Sequence, residues 1–153
     1  MLIKEITPED IPAWLSISHE ADDIIARMVP DIAVYYLAFT EYISRKLASH
    51  EAFKAHDTIS GKCMGVIAFT REKNMINFLG IPGGGNLQTI GSRLVEHAIK
   101  QMDGSKEVFA CVPDSTAGVF RKERNFYKSL SFIETSDKIM ENGIQAVLMK
   151  KAR

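Results

Sequence analysis

Residues 78–97, FLGIPGGGNLQTIGSRLVEH, limit what this chain can fold into more than any other stretch, because they demand a strand, a glycine-rich connection and a helix in one short run. Phe78, Leu79 and Ile81 suit the end of a buried strand, and Pro82 with Gly83, Gly84 and Gly85 breaks it. From Ile90 the apolar residues Ile90, Leu94, Ala98 and Met102 recur at helical spacing. A helix that opens straight out of a loop poor in side chains presents unpaired backbone N–H groups and the positive end of its dipole, which suits an anion such as a pyrophosphate. Two familiar phosphate-binding patterns do not fit. No Lys-Ser or Lys-Thr follows the last glycine, and the Gly-x-Gly-x-x-Gly pattern begun by Gly83 and Gly85 meets Gln88 where its third glycine belongs. The plainer alternative is that the three glycines only connect two elements.

The rest of the chain reads as a mixed α/β pattern. Residues 2–6 alternate as a strand, and Thr7-Pro8-Glu9-Asp10 opens a helix buried through Ile11, Trp14, Leu15 and Ile17. A second helix runs from Pro30-Asp31 to about Ser49 on Ile32, Tyr35, Tyr36, Phe39, Tyr42, Ile43 and Leu47. Its tyrosines read first as core fillers with wet hydroxyls and second as substrate-lining groups. Residues 53–60, 62–70 and 74–81 then read as three antiparallel strands, and residues 107–112 as a strand parallel to the last of them. Asp114 and Ser115 are candidate caps of a helix that turns Ala117, Phe120, Tyr127 and Leu130 inward and Arg121, Lys122, Arg124 and Lys128 outward. Residues 132–140 and 144–150 flank Glu141-Asn142-Gly143, a strong hairpin signal.

Composition narrows the function. The 153 residues suit a single domain, 1–153, with one core. Lys plus Arg number 19 and Asp plus Glu number 19, so nothing pulls the whole molecule toward nucleic acid or an anionic membrane. No apolar run approaches the ~20 residues of a membrane span, and the first five residues lack the start of a signal peptide, so a cytoplasmic protein is expected. Cys63 and Cys111 lie in apolar strand-like runs and read as reduced core residues, with no metal pattern around them.

The same stretch resembles the GNAT N-acetyltransferases. Their coenzyme A loop reads Val, a short linker with Pro, Arg or Gln, two residues, Gly, any residue, then Gly or Ala. Without gaps, Ile81 matches the Val, Asn86 the Arg or Gln, Thr89 the first Gly and Gly91 the last, with Ser92, Arg93 and Leu94 continuing the helix. The family's second signature is similar to NFYKSLSF, where Tyr127 and Phe132 match and Ser131 stands in place of Gly. The resemblance implies a GNAT-like, mostly antiparallel sheet of about six to seven strands flanked by four helices, with strands 4 and 5 splayed. It implies acetyl-CoA as co-substrate, held by Leu79, Gly80, Ile81, Asn86, Leu87, Gln88, Thr89, Ile90, Gly91 and Ser92.

The activity that follows from the resemblance is N-acetyl transfer to a primary amine by direct attack on the thioester. Tyr127 is then the general acid for the leaving thiolate, and the backbone N–H at Ile81 the oxyanion donor. Asn74 and Asn77 stand where a carboxylate base is usual in the family, and neither takes a proton at neutral pH, so no base is assigned. The acceptor is a small-molecule or peptide amine, no nucleic acid or membrane partner is implied, and a homodimer is compatible with the family. The aromatic, charge-poor second helix hints at an amine on an uncharged or apolar body. The alternative is a non-catalytic acyl-CoA-binding sensor or interaction module on the same fold, which Asn86 and Thr89 keep open.

Overall fold

Alternation along β3 (Cys63–Thr70) decides where the other elements pack. Val66 and Ala68 belong to an apolar cluster with Trp14, Phe39 and Ile43, while Ile67 and Phe69 belong to another with Leu94, Val95 and Tyr127. Successive side chains of a strand point to opposite faces, so a strand apolar on both must be covered twice. The computed structural model, which describes residues 1–153, shows both covers. On one face lie α1 (Ile11–His19) and α3 (Ile32–Ala48); on the other lie α4 (Ser92–Lys100) and α5 (Gly118–Ser129). No helix is long and apolar enough to cross a membrane.

The sheet has seven strands in the order β1-β2-β3-β4-β5-β7-β6, with β1 Leu2–Glu5, β2 Ala52–His56, β4 Met75–Gly80, β5 Val108–Pro113, β6 Ile133–Glu141 and β7 Ile144–Lys151. Every pairing is antiparallel except β4 with β5. This is the mixed, mostly antiparallel sheet the sequence leads one to expect. Asn142 and Gly143 both take positive φ, 51° and 78°, as a two-residue turn twisted to match its strands requires. Ser131, at φ 72°, ends α5 in the left-handed conformation that glycine usually supplies.

Several local expectations are corrected. A one-turn helix, α2 (Asp22–Ile25), brings the helices to five instead of four. β2 stops at His56, short of residue 60, because the Asp57 carboxylate accepts from the Ile59 N–H at 3.0 Å and the Ser60 hydroxyl at 2.8 Å and so closes a turn. Asp114 and Ser115 do not cap α5: its N-cap is Ala117, Asp114 pairs with Lys138 at 3.0 Å, and Ser115 Oγ accepts from the Ala117 N–H before the helix begins. Arg124 turns inward, 9% exposed, donating to the Ser115 carbonyl at 2.6 Å and lying 3.5 Å from Glu134.

Candidate functional site

β4 and β5 pair at only two positions, Met75 with Phe109 and Ile76 with Ala110, and then part. The cause is local. Asn77 is an extra residue in β4, since β3 pairs Phe69 with Ile76 and Ala68 with Phe78 and leaves Asn77 between them. Such a bulge bends its strand away from the old line. Beyond it, a cavity of about 380 Å³ opens through the sheet, walled by β4 (Asn77, Leu79, Gly80), by Ile17 and Tyr35 on one face and by Phe120 and Glu123 on the other. Cys111 marks the fork, its thiol donating to the Ile76 and Asn77 carbonyls at 3.5 and 3.7 Å. Burial pushes that thiol far above its ordinary pKa, so it stays protonated.

The loop after β4 runs along the mouth of this cavity, with Gly83, Gly84 and Gly85 on its wall. Gly84 needs its glycine for φ 85°, and Gly85 needs its own because a Cβ there would meet Ile81 Cγ2 at 2.6 Å. The helix expected to open at Ile90 begins earlier, as a π-helical turn over Leu87–Gly91 that leads into α4. Its cap is Asn86, whose Oδ1 accepts from the Thr89 N–H at 3.0 Å. The Thr89 hydroxyl itself is exposed and bonded to nothing in the protein. The N–H groups of Leu87 and Gln88 have no protein acceptor, as the first turn of a helix leaves them. One feature opposes an anion here: Glu20 accepts from the Gly83 N–H at 2.7 Å, which sets a carboxylate against the loop.

A polar chain reaches the cavity from the α3 side. Lys46, 7% exposed, donates to the Phe69 carbonyl at 2.6 Å and the Thr70 hydroxyl at 2.8 Å. Thr70 donates to Asn77 Oδ1 at 2.6 Å, and Asn77 Nδ2 donates to Glu141 Oε2 at 3.3 Å. Each donor points toward Glu141, so the chain ends on an acceptor that is best ionised. Burial raises the Glu141 carboxyl above the ordinary carboxylate range, while the Asn77 bond and the charges of Lys46, Lys73 and Arg45 hold it down.

On the opposite wall stands Glu123, 6% exposed and with no hydrogen bond in the protein. Burial pushes its carboxyl up to about 8, against the nearby Arg124 charge, so it is mostly neutral at physiological pH. Tyr127, one turn further along α5, is fully buried with an unpartnered hydroxyl, and lies behind the wall instead of on it. Burial, then Glu123 and Cys111, raise its phenol well above the ordinary value.

Of the residues expected at the site, Leu79, Gly80, Ile81 and Leu87 line the cavity; Asn86, Gln88 and Thr89 form the exposed start of the π-turn; Ile90 and Gly91 are buried beneath it. Ser92 donates to the Gln88 carbonyl and braces that turn. The Ile81 N–H makes no hydrogen bond in the protein. Sequence reasoning missed Glu141 and Glu123. The only local signal for Glu123 was a carboxylate on the inward side of α5, four residues before Tyr127.

Residues 18–153 match the acetyltransferase (GNAT) domain. No curated protein matches the sequence. In structure, the chain is similar to a ribosomal-protein-alanine N-acetyltransferase from Brucella melitensis, with 16% identity, 100% of both chains covered and a TM-score of 0.66. It is also similar to Ard1 from Thermoplasma volcanium, with 17% identity, 98% of this chain and 95% of that one covered, and a TM-score of 0.66. A third likeness is to yncA from Salmonella typhimurium, a structure with its cofactor acetyl-CoA, at 14% identity, 98% and 92% coverage and a TM-score of 0.60. At these identities the likeness is one of fold.

Proposed function

The chain belongs to the GNAT acetyltransferase family, whose acyl donor is acetyl-CoA, and we propose that it moves the acetyl group to a primary amine by direct attack of the amine on the thioester. The observation that carries this reading is the parting of β4 from β5 around a through-sheet cavity. The edge of β4 beyond Ile76 has no ladder partner on the β5 side, so its backbone groups can bond an extended, amide-bearing arm laid in the gap. The free N–H groups of Leu87 and Gln88 and the Thr89 hydroxyl fit a pyrophosphate at the cavity mouth, once Glu20 yields Gly83.

Acetyl-CoA supplies an activated acyl carbon as a thioester; the protein supplies position and protons. The Ile81 N–H donates to the thioester oxygen as negative charge grows there. Glu141, ionised and aimed by Asn77, takes the proton that the amine sheds as its nitrogen bonds the acyl carbon. The C–S bond breaks, and the thiolate takes a proton from the α5 wall, where the neutral Glu123 carboxyl stands at the cavity surface and Tyr127, the general acid the resemblance implies, lies behind it. A second reading, an acyl-CoA sensor without turnover, is favoured by one fact: the Tyr127 hydroxyl is sealed off the cavity.

Release of coenzyme A with a panel of amines separates the two, since a sensor binds without turnover. Acetyl-CoA at about 100 times its dissociation constant should add roughly 2.7 kcal/mol of stability. A folded sample with neither thermal shift nor release would overturn both readings.

A further inference from the structure

Asn77, Glu141 and Asn142 also wall a second pocket of about 390 Å³, open to solvent, between the last turns of α3 and the hairpin tip. Where the first cavity has Tyr35 and Phe39, this one has Arg45, Lys46 and Lys73 facing Glu51 and Glu141. The charges are not spread evenly. Glu51 is spent within the protein, accepting from the Arg71 N–H at 2.6 Å and the Ser49 hydroxyl at 2.7 Å and pairing with buried Lys46 at 3.4 Å. Arg45 and Lys73 have no ion pair and no hydrogen bond. Both lie close enough to Glu141 to draw its carboxyl downward.

A molecule held in this second pocket therefore meets two uncommitted cations and the Glu141 carboxylate that the two pockets share. We infer that the acceptor carries an anionic group, a carboxylate or a phosphate, which seats between Arg45 and Lys73 while its amine lies against Glu141. This deepens the acetyltransferase reading and rests on it. The transfer itself is unchanged: nitrogen bonds the acetyl carbon, the thiolate leaves, Glu141 takes the amine proton and the α5 wall protonates sulfur. What the second pocket adds is selection. A polyamine or a lysine-rich segment would set its own cations against Arg45 and Lys73, and like charges at a site reject as effectively as opposite charges attract. The apolar, uncharged body suggested by the α3 aromatics describes only the stretch between the two ends.

The experiment compares γ-aminobutyrate, its amide, phosphoethanolamine and putrescine, in two measurements: acetyl-CoA-dependent release of coenzyme A, and thermal shift by each amine with coenzyme A present and absent. The anionic amines should exceed the amide by tenfold or more in kcat/KM and should alone raise Tm; comparison of carboxylate with phosphate identifies which anion fits. The double variant Arg45→Glu with Lys73→Glu should reverse the order in favour of putrescine while keeping the acetyl-CoA thermal shift. Equal treatment of the acid and its amide in both measurements, or an order unchanged in the double variant, would overturn the proposal. Loss of acetyl-CoA binding and release in the parent protein would instead sink the acetyltransferase reading, and the shift measured without coenzyme A would still decide the anion site.

Discussion

Asn77 Nδ2 donates to Glu141 Oε2 at 3.3 Å, and so the residue that bulges β4 also aims the one partly buried carboxylate the hairpin brings to the cavity. The bulge beside which the strands part and the hydrogen bond that aims this carboxylate both belong to one residue.

Replacing Glu141 by Gln should keep that contact's shape and remove the base, lowering turnover by ~100-fold or more without changing coenzyme A affinity. The pH dependence follows in sign. As the proposed base, Glu141 must be ionised, so kcat/KM should fall as pH drops through its raised pKa. Asn77→Ala removes a bond that lowers that pKa and should move the acid limb to higher pH. A profile unchanged in both variants would acquit Glu141.

Glu123 makes a prediction about stability that is independent of catalysis. Its folded pKa, about 8, lies above its ordinary value, so the native state holds a proton the unfolded chain has lost. Stability is then greatest below the ordinary carboxylate pKa and declines as pH rises toward about 8, by an amount on the order of a few kcal/mol. Glu123→Gln should flatten the decline, matching the parent near about pH 5 and exceeding it in Tm near about pH 9. Parallel Tm curves would show that the carboxyl is already solvated.

Tyr127→Phe should leave coenzyme A binding intact and slow turnover by ~100-fold or more, because it removes a proton and keeps the ring. Unchanged turnover would return Tyr127 to the core and leave Glu123 as the donor on that wall.

Thr89→Gly should weaken coenzyme A binding by more than tenfold, the worth of about 1.5–3 kcal/mol for a hydrogen bond to a charged group, and should not affect a pantetheine fragment. Asn86→Ala, by contrast, removes the cap and should cost ~1 kcal/mol of stability. Tighter coenzyme A binding by Thr89→Gly would make the hydroxyl an obstruction.

Most of the fold was legible because its signals are local. Asn142-Gly143 fixed a turn, the period-two runs fixed strands, and the glycine loop fixed the approach to α4. Two of the misreadings depend on a partner outside the residue's own element. Arg124 reads as outward on a helical wheel, and only Glu134 on β6 and the Ser115 carbonyl make its burial tolerable. Glu141 reads as a hairpin residue until folding brings Asn77, 64 positions earlier, into reach. The early start of the helix at Leu87 has a local cause: Asn86 stands where the family pattern has Arg or Gln, and its own chemistry is that of a cap.

Two residue pairs are all the ladder that joins the four strands of the N-terminal part to the three that follow. Mechanically, this is a sheet with a slit, and the slit is its weakest line. A molecule laid along it restores the missing rungs, so occupancy and cohesion become one quantity: amides on β4 and β5 should exchange with solvent together when the slit is empty and slow together when it is filled.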